Sequence, residues 1–227
     1  TKSAQTIQDN FPTQFRVVKI IVSKENWKAE IQNELVDFDI QTMSFLDIKL
    51  DLAIVYVHGD PGENGKIQAL LEMDKIERSK ESFLYFVTQM WPIFISGSHH
   101  KIMSDAFERV ANGELKRLII NMPPRHTKSE FASFLLPAWF LGKFPHKKVI
   151  QASHTAELAV GFGRKVRNLV DSEIYHEIFP DLHLQADSKA AGRWNTSKGG
   201  DYFAIGVGGA VTGKGADVLI IDDPHSE

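Results

Sequence analysis

Two apolar runs lie near the start of the chain, FRVVKIIV from Phe15 to Val22 and FLDIKLDLAIVYV from Phe45 to Val57. The second partly alternates, and both predict strands. The stretch between them is polar and reads as helical, while GDPGENG, Gly59 to Gly65, predicts a turn or linker. From Ile67 the period changes. Apolar residues recur at three- and four-residue spacing through IQALLEMDKIERSKESFLYFVTQMWPIF, which predicts helix until Pro92 interrupts it. A further helix is expected over Lys101 to Ala111, stopped by Asn112-Gly113.

Beyond that point short apolar runs and helical patterns take turns. KRLIINM, Lys116 to Met122, has the β-branched character of a buried strand, and a loop and a helix from about Ser129 to Leu141 follow it. The strand KKVIQAS (Lys147 to Ser153), a helix from Ala156 to Val170, and the strands DYFAIGV and DVLIID come next. This alternation predicts an α/β fold with a mostly parallel sheet flanked by helices over residues 67–227. Residues 1–66 are expected to form a variable N-terminal α+β segment.

Composition narrows the class without choosing a function. The chain has 227 residues, 43% hydrophobic and 24% charged, with a formal net charge of -3, so its average composition demands no nucleic-acid partner. It contains no cysteine, which excludes disulfides, thiolate metal sites and cysteine nucleophiles. Its nine histidines show no HExxH spacing. No apolar run reaches the roughly 18 to 20 residues that span a bilayer, so no membrane partner is expected. The chain opens on Thr1 and closes on Glu227 just after an apolar strand and an acidic turn, which reads as a fragment that has lost the elements that would pack beside that strand.

Candidate chemistry begins where LIINM runs into Pro123-Pro124-Arg125-His126-Thr127-Lys128-Ser129 and then a helix. A strand, a loop and a helix N-terminus in that order suit an anion. Backbone N–H groups point at phosphate, the Lys128 ammonium reaches the outer phosphates, and the Ser129 hydroxyl can hold Mg²⁺. Set against GxxxxGK[ST], Met122 and Thr127 stand where glycines belong, and a proline-rich turn capped by Ser129 is the alternative. VLIIDDPHSE supplies the complement: four apolar residues, then Asp222-Asp223 with Pro224 ending the strand. A carboxylate at such a tip can hold Mg²⁺, and its neighbour can orient an attacking water.

MPPRHTKSEFAS, IQASHTAELAVGFGRKVRNLV and GGAVTGKGADVLIIDDPHSE together resemble the ATPase domain of tailed-phage large terminases, roughly from Glu72 to Glu227. The resemblance implies an additional-strand P-loop ATPase that uses ATP and Mg²⁺ to drive DNA into a procapsid, with no nuclease domain in this chain. Carried over by position, Pro124, Arg125, His126, Thr127, Lys128 and Ser129 hold phosphate, and Ser129 and Asp222 hold Mg²⁺. Arg125 also belongs to the catalytic set. Asp223 resembles the water-orienting carboxylate, with Glu227 as its alternative, and Lys214 stands where relatives carry a trans-acting arginine. Phe83, Trp91, Pro92, Phe94, His99 and His100 resemble the adenine-cradling segment, with Trp91, His99 and His100 as the expected contacts. The cations of Gly163-Arg164-Lys165-Val166-Arg167 could meet DNA phosphates or form a solvated helix face.

The resemblance further implies double-stranded DNA, a portal protein, a small terminase subunit and a ring of copies as partners, in the host cytoplasm at the procapsid portal. Two other readings stay open. One is another P-loop NTPase, helicase-like or a kinase, and the other is a nucleotide-binding fragment without turnover.

Overall fold

The computed structural model describes residues 18–22, 27–31, 34–39, 44–46, 48–49 and 66–225. The chain divides into two compact units, Thr1–Lys75 and Ile76–Glu227.

In the first unit β1 (Lys19–Val22), β2 (Trp27–Ile31) and β3 (Glu34–Asp37) form an antiparallel sheet in the order β1-β2-β3. A small pair, β4 (Ser44–Phe45) and β5 (Ile48–Lys49), follows. The helix expected between the two apolar runs is therefore wrong over its described residues. WKAEI alternates in side-chain character, and the strand pairing buries Ala29 and Phe38 with Val18, Ile20, Trp27, Val36 and Leu71. The Gly59–Gly65 turn and most of the second apolar run lie outside the described residues.

α1 (Lys66–Glu81) and α2 (Phe83–Met90) realise the long helical pattern, broken at Ser82, whose hydroxyl accepts from the Tyr85 N–H as an N-cap. α2 stops two residues before Pro92, as a residue lacking its N–H requires. α3 (Ser98–Ala111) starts three residues earlier than its periodicity indicated. The segment expected as a strand, Lys116–Met122, joins no ladder. Its alternation is met by packing instead: Leu118, Ile120 and Met122 lean on the core while Ile119 faces outward.

A helical run then begins at Lys128. It is wound as a π-helix over Glu130–Leu135 and continues as α4 (Leu136–Lys143). β6 (Lys148–Ser153), α5 (Ala156–Val170) and α6 (Glu173–Ile178) lead to the hairpin β7 (Leu184–Ala190) and β8 (Arg193–Thr196), then β9 (Asp201–Gly206) and β10 (Val218–Asp222).

The five-stranded sheet has the order β10-β6-β9-β8-β7. β10, β6 and β9 run parallel, whereas β8 pairs antiparallel with both β9 and β7. The sheet is mixed rather than mostly parallel. The cause is local: Ala191-Gly192 and Ser197–Gly200 reverse the chain twice within a few residues, leaving no crossover between those strands.

The core lies between the sheet and its helices. Phe83 meets Phe107, Phe131 and Trp139 edge-on with centroids 5.5 to 5.6 Å apart. The Trp139 Nε1–H donates to the Ser79 carbonyl and the Tyr175 hydroxyl to the Ala138 carbonyl, so these large rings are buried without orphaned donors. α5 packs on β6 and β9, and its close approach depends on Gly163. A Cβ there would stand 2.5 Å from the Ala191 carbonyl oxygen and 3.1 Å from the Tyr202 ring.

Gly163→Ala is therefore expected to lower stability by about 1–3 kcal/mol despite the better helix former. Gly161→Ala, on the same helix in open space, should gain up to about 1 kcal/mol. Urea unfolding of the two variants against the parent checks both.

Candidate functional site

Three features bring the candidate residues together at the carboxyl ends of the parallel strands. Register aligns Asp222 with Ser153, and Ser153 with Gly206, so Asp222 ends its strand level with the tips of β6 and β9. The loop 123–127 arrives beside it and opens the helical run. Finally, the His154 N–H donates to the Asp223 carbonyl at 3.1 Å, fixing the turn that follows β10.

The loop is unusual in its backbone. Arg125 and Thr127 adopt φ of 65° and 63°, with His126 between them outside that region. Alternation of this kind turns successive N–H groups to one side, the shape of an anion-binding concavity. For a β-branched residue such as Thr127 it costs on the order of 1–3 kcal/mol, so neighbouring contacts must hold it. They do. The Thr127 hydroxyl donates to the His126 carbonyl at 2.6 Å and lies 2.8 Å from His100 Nε2, and the Thr127 carbonyl accepts from the Phe131 N–H.

Charge gathers at the helix start. Lys128 Nζ donates to Asp223 at 2.6 Å and lies 4.0 Å from Asp222. The hydrogen bond to Asp223 raises the Lys128 ammonium above its usual value against the opposing effect of partial burial. The two carboxylates differ sharply in setting: the Asp222 side chain is 7% exposed and that of Asp223 68%. Asp223 also carries a positive φ of 42°. Ser133 Oγ donates to Asp222 Oδ2 at 2.9 Å, and Gln151 Nε2 donates to Ser133 Oγ at 3.2 Å. This buried relay fixes one carboxylate oxygen and leaves Oδ1 on the Lys128 side.

Sequence reasoning missed Ser133 and Gln151. The signal was present in Gln151, an amide in the middle of the otherwise apolar strand KVIQAS, which becomes fully buried.

The other expected site residues are distributed as follows. Ser129 sits in the first turn of the helical run, half-buried. Arg125 is exposed at the loop tip, and His126 turns back through Nδ1 to the Pro124 carbonyl at 2.9 Å. The His99 and His100 rings lie 3.8 Å apart, tilted at 44°, and His99 lies 5.9 Å from His126. Trp91 packs on Phe94 and the core, while Phe83 is fully buried and out of reach of any base. Lys214 places its ammonium 3.7 Å over the Phe203 ring on the sheet. Glu227 lies outside the described residues.

His100 is set by two bonds. Its Nδ1 accepts from the Gly97 N–H at 2.8 Å, half of a capping box at the start of α3. With Nδ1 accepting, Nε2 carries the proton and donates to Thr127. Burial first, then the neighbouring His99 and His126, lowers its pKa below the usual 6.5.

Among the described residues no cluster of three or more His, Cys, Asp or Glu is suited to a metal. Mg²⁺ commonly takes only one or two protein oxygens and completes its shell with phosphate and water. Asp222 and the Ser129 hydroxyl are oxygens of the required kind.

Parts of the chain are related to known enzymes. It is similar to D-alanine–D-alanine ligases. It is 33% identical over 115 residues to that ligase of Vibrio atlanticus (strain LGP32), covering 45% of this chain and 34% of the relative. The ligases of Vibrio cholerae serotype O1 strains O395 and M66-2 are 32% identical over 89 residues, covering 34% of this chain and 27% and 26% of the relatives. The chain thus spans about a third of the length of the first of these relatives and about a quarter of the others. No protein-family model matches, and neither does any solved structure.

These relatives overturn the packaging-motor expectation: they are named ligases, and no terminase is among them. The inferred partners fall with it, namely DNA, portal protein, small terminase subunit and a ring of copies, as does a place at the portal vertex. Two of the three cations expected to meet DNA phosphates have side-chain partners on the surface of the fold. Lys165 pairs with Glu130 at 3.0 Å and Arg167 bonds the Asn168 side chain at 2.9 Å. Among the described residues no helix is long and apolar enough to cross a membrane.

Two measurements test this account of the site. Ser133→Ala leaves one oxygen of a buried carboxylate without its donor and should cost about 1–3 kcal/mol in urea unfolding. The second concerns His100, whose lowered folded pKa means that the unfolded chain binds protons more readily. Its contribution to stability is complete above pH 6.5 and is lost as the pH falls through the folded value. The parent should therefore lose stability as the pH falls below 6.5 more steeply than His100→Gln, which cannot titrate.

Proposed function

We propose that this chain is part of an ATP-using enzyme and that its unit Ile76–Glu227 seats the triphosphate with Mg²⁺. The observation that supports this best is the Lys128 ammonium standing between the Asp222 and Asp223 carboxylates at the start of the helical run. In this reading the loop N–H groups around Thr127 and the helix N-terminus receive the phosphates, and Lys128 exchanges its Asp223 partner for a phosphate oxygen. Arg125, exposed at the tip, adds a planar fork to the same anion. Ser129 and Asp222 hold Mg²⁺, with Ser133 and Gln151 keeping the Asp222 carboxylate in place. The loop and the helix after it, beside the tips of the parallel β10-β6-β9 strands, support a phosphate seat in this unit, without the ladder strand that a P-loop fold places before the loop.

The relatives' name suggests the reaction: joining two D-alanine molecules or a similar amino-acid pair. ATP with Mg²⁺ supplies a phosphoryl group that activates a carboxylate, which amide formation in water otherwise disfavours. Hydrolysis is the second reading, favoured by the exposed Asp223 beside Lys128, where a carboxylate can orient water. Glu227 remains the alternative carboxylate for that role.

ATP binding and ADP release should be measured on the chain with and without D-alanine. Lys128→Ala is expected to weaken Mg²⁺–ATP by roughly 30-fold or more, the loss of a charged hydrogen bond and its electrostatic contribution. ADP release that requires D-alanine supports the ligase. Equal release without it supports hydrolysis, and unchanged ATP affinity in Lys128→Ala defeats the site.

A further inference from the structure

The phosphate loop carries threonine at a left-handed position that ordinarily calls for glycine, and that threonine is tied to a histidine 27 residues earlier in the chain. His100 is 5% exposed and locked on both ring nitrogens. Nδ1 accepts from the Gly97 N–H, and Nε2 donates to Thr127 Oγ1 at 2.8 Å. Its ring also packs on Phe131 at 4.9 Å with 28° between planes and on Phe94 at 4.7 Å, so it has little freedom to turn. Thr127 in turn spends its hydroxyl proton on the His126 carbonyl, and its own carbonyl starts the following helix by accepting from the Phe131 N–H. One buried imidazole therefore joins the start of α3 to the point where the loop turns into the helix bearing Lys128 and Ser129.

We propose that His100 is a positioning residue that clamps Thr127 in its left-handed conformation, so that a histidine–threonine pair maintains the phosphate-binding shape that a glycine would adopt unaided. The inference rests on the triphosphate reading of the loop. It assigns His100 a role through the loop backbone, in place of the contact with adenine expected from sequence. Its distinctive consequence is dependence between the two positions. Removing His100 matters while residue 127 is strained and ceases to matter once residue 127 tolerates positive φ.

The test is a four-variant cycle of Mg²⁺–ATP affinity by calorimetry: parent, His100→Ala, Thr127→Gly and the double variant. His100→Ala should weaken ATP about 10-fold in the parent background, the scale of one lost hydrogen bond, and no more than about twofold in the Thr127→Gly background. Equal losses in both backgrounds overturn the clamp, because a merely structural histidine would cost the same in each. Amide exchange at residues 125–129 of the nucleotide-free protein reads the clamp without ATP. Exchange should accelerate about 10-fold in His100→Ala and be restored toward its own reference in the double variant. Unchanged exchange overturns the clamp even where Lys128→Ala abolishes ATP binding. Accelerated exchange together with ATP binding that ignores Lys128→Ala overturns instead the phosphate-site reading on which the proposal rests.

Discussion

The parallel pairing of β10 with β6 is the constraint on which the site depends. It is a five-residue ladder that sets Asp222 opposite Ser153, and it leaves the next residue, Asp223, beyond the end of the sheet. A shift of one residue would exchange the two carboxylates, turning the hydrogen-bonded one outward and driving the exposed one into the core. With the register as it is, one acid is enclosed and held by Ser133 while its neighbour meets Lys128 in the open. The difference between two adjacent aspartates is thus a product of sheet geometry, with identical side-chain chemistry.

Much of this unit was legible in the sequence. The helix Ala156–Val170 has the bounds that its sequence pattern indicated, and the strands at KVIQAS, DYFAIG and VLIID stand where apolar runs placed them. These elements share a property: each has enough repeats of its period for one pattern to dominate. The failures occur where pattern is short or shared. Lys116–Met122 has a strand's alternation, but a ladder needs hydrogen-bonding partners that no residue can specify alone. WKAEI and ELVD are too polar and too brief to separate from helix by periodicity, and only pairing decides them.

The site shows the same division. Lys128, Asp222 and Asp223 stand out in the sequence because each belongs to a short local motif, and the structure sets the Lys128 ammonium 4.0 Å from Asp222 and 2.6 Å from Asp223. The supports of Asp222 were not found, because Ser133 and Gln151 act across 89 and 18 residues of sequence, and His100 was expected at adenine while its contact with Thr127 spans 27. Three-dimensional proximity of that kind leaves no period to read. The family resemblance failed for a different reason. It joined short motifs whose chemistry, a cation beside paired carboxylates, can serve more than one use of ATP, and motif chemistry does not choose among them.

The π-wound segment Glu130–Leu135 carries a consequence for how this helix can vary. A wide turn has more residues per revolution than an α-helix, so side chains after it point in directions that ordinary helical counting from Lys128 does not give. Pro137 follows within the first residues of α4 and has no N–H to return to the preceding turn, a local reason for the backbone to widen there. Ser133 faces Asp222 from inside that wide turn. The orientation of the buried carboxylate is consequently tied to helix winding: loss of a single residue from the segment would tighten the coil and rotate the hydroxyl away, with every charged group of the loop still present.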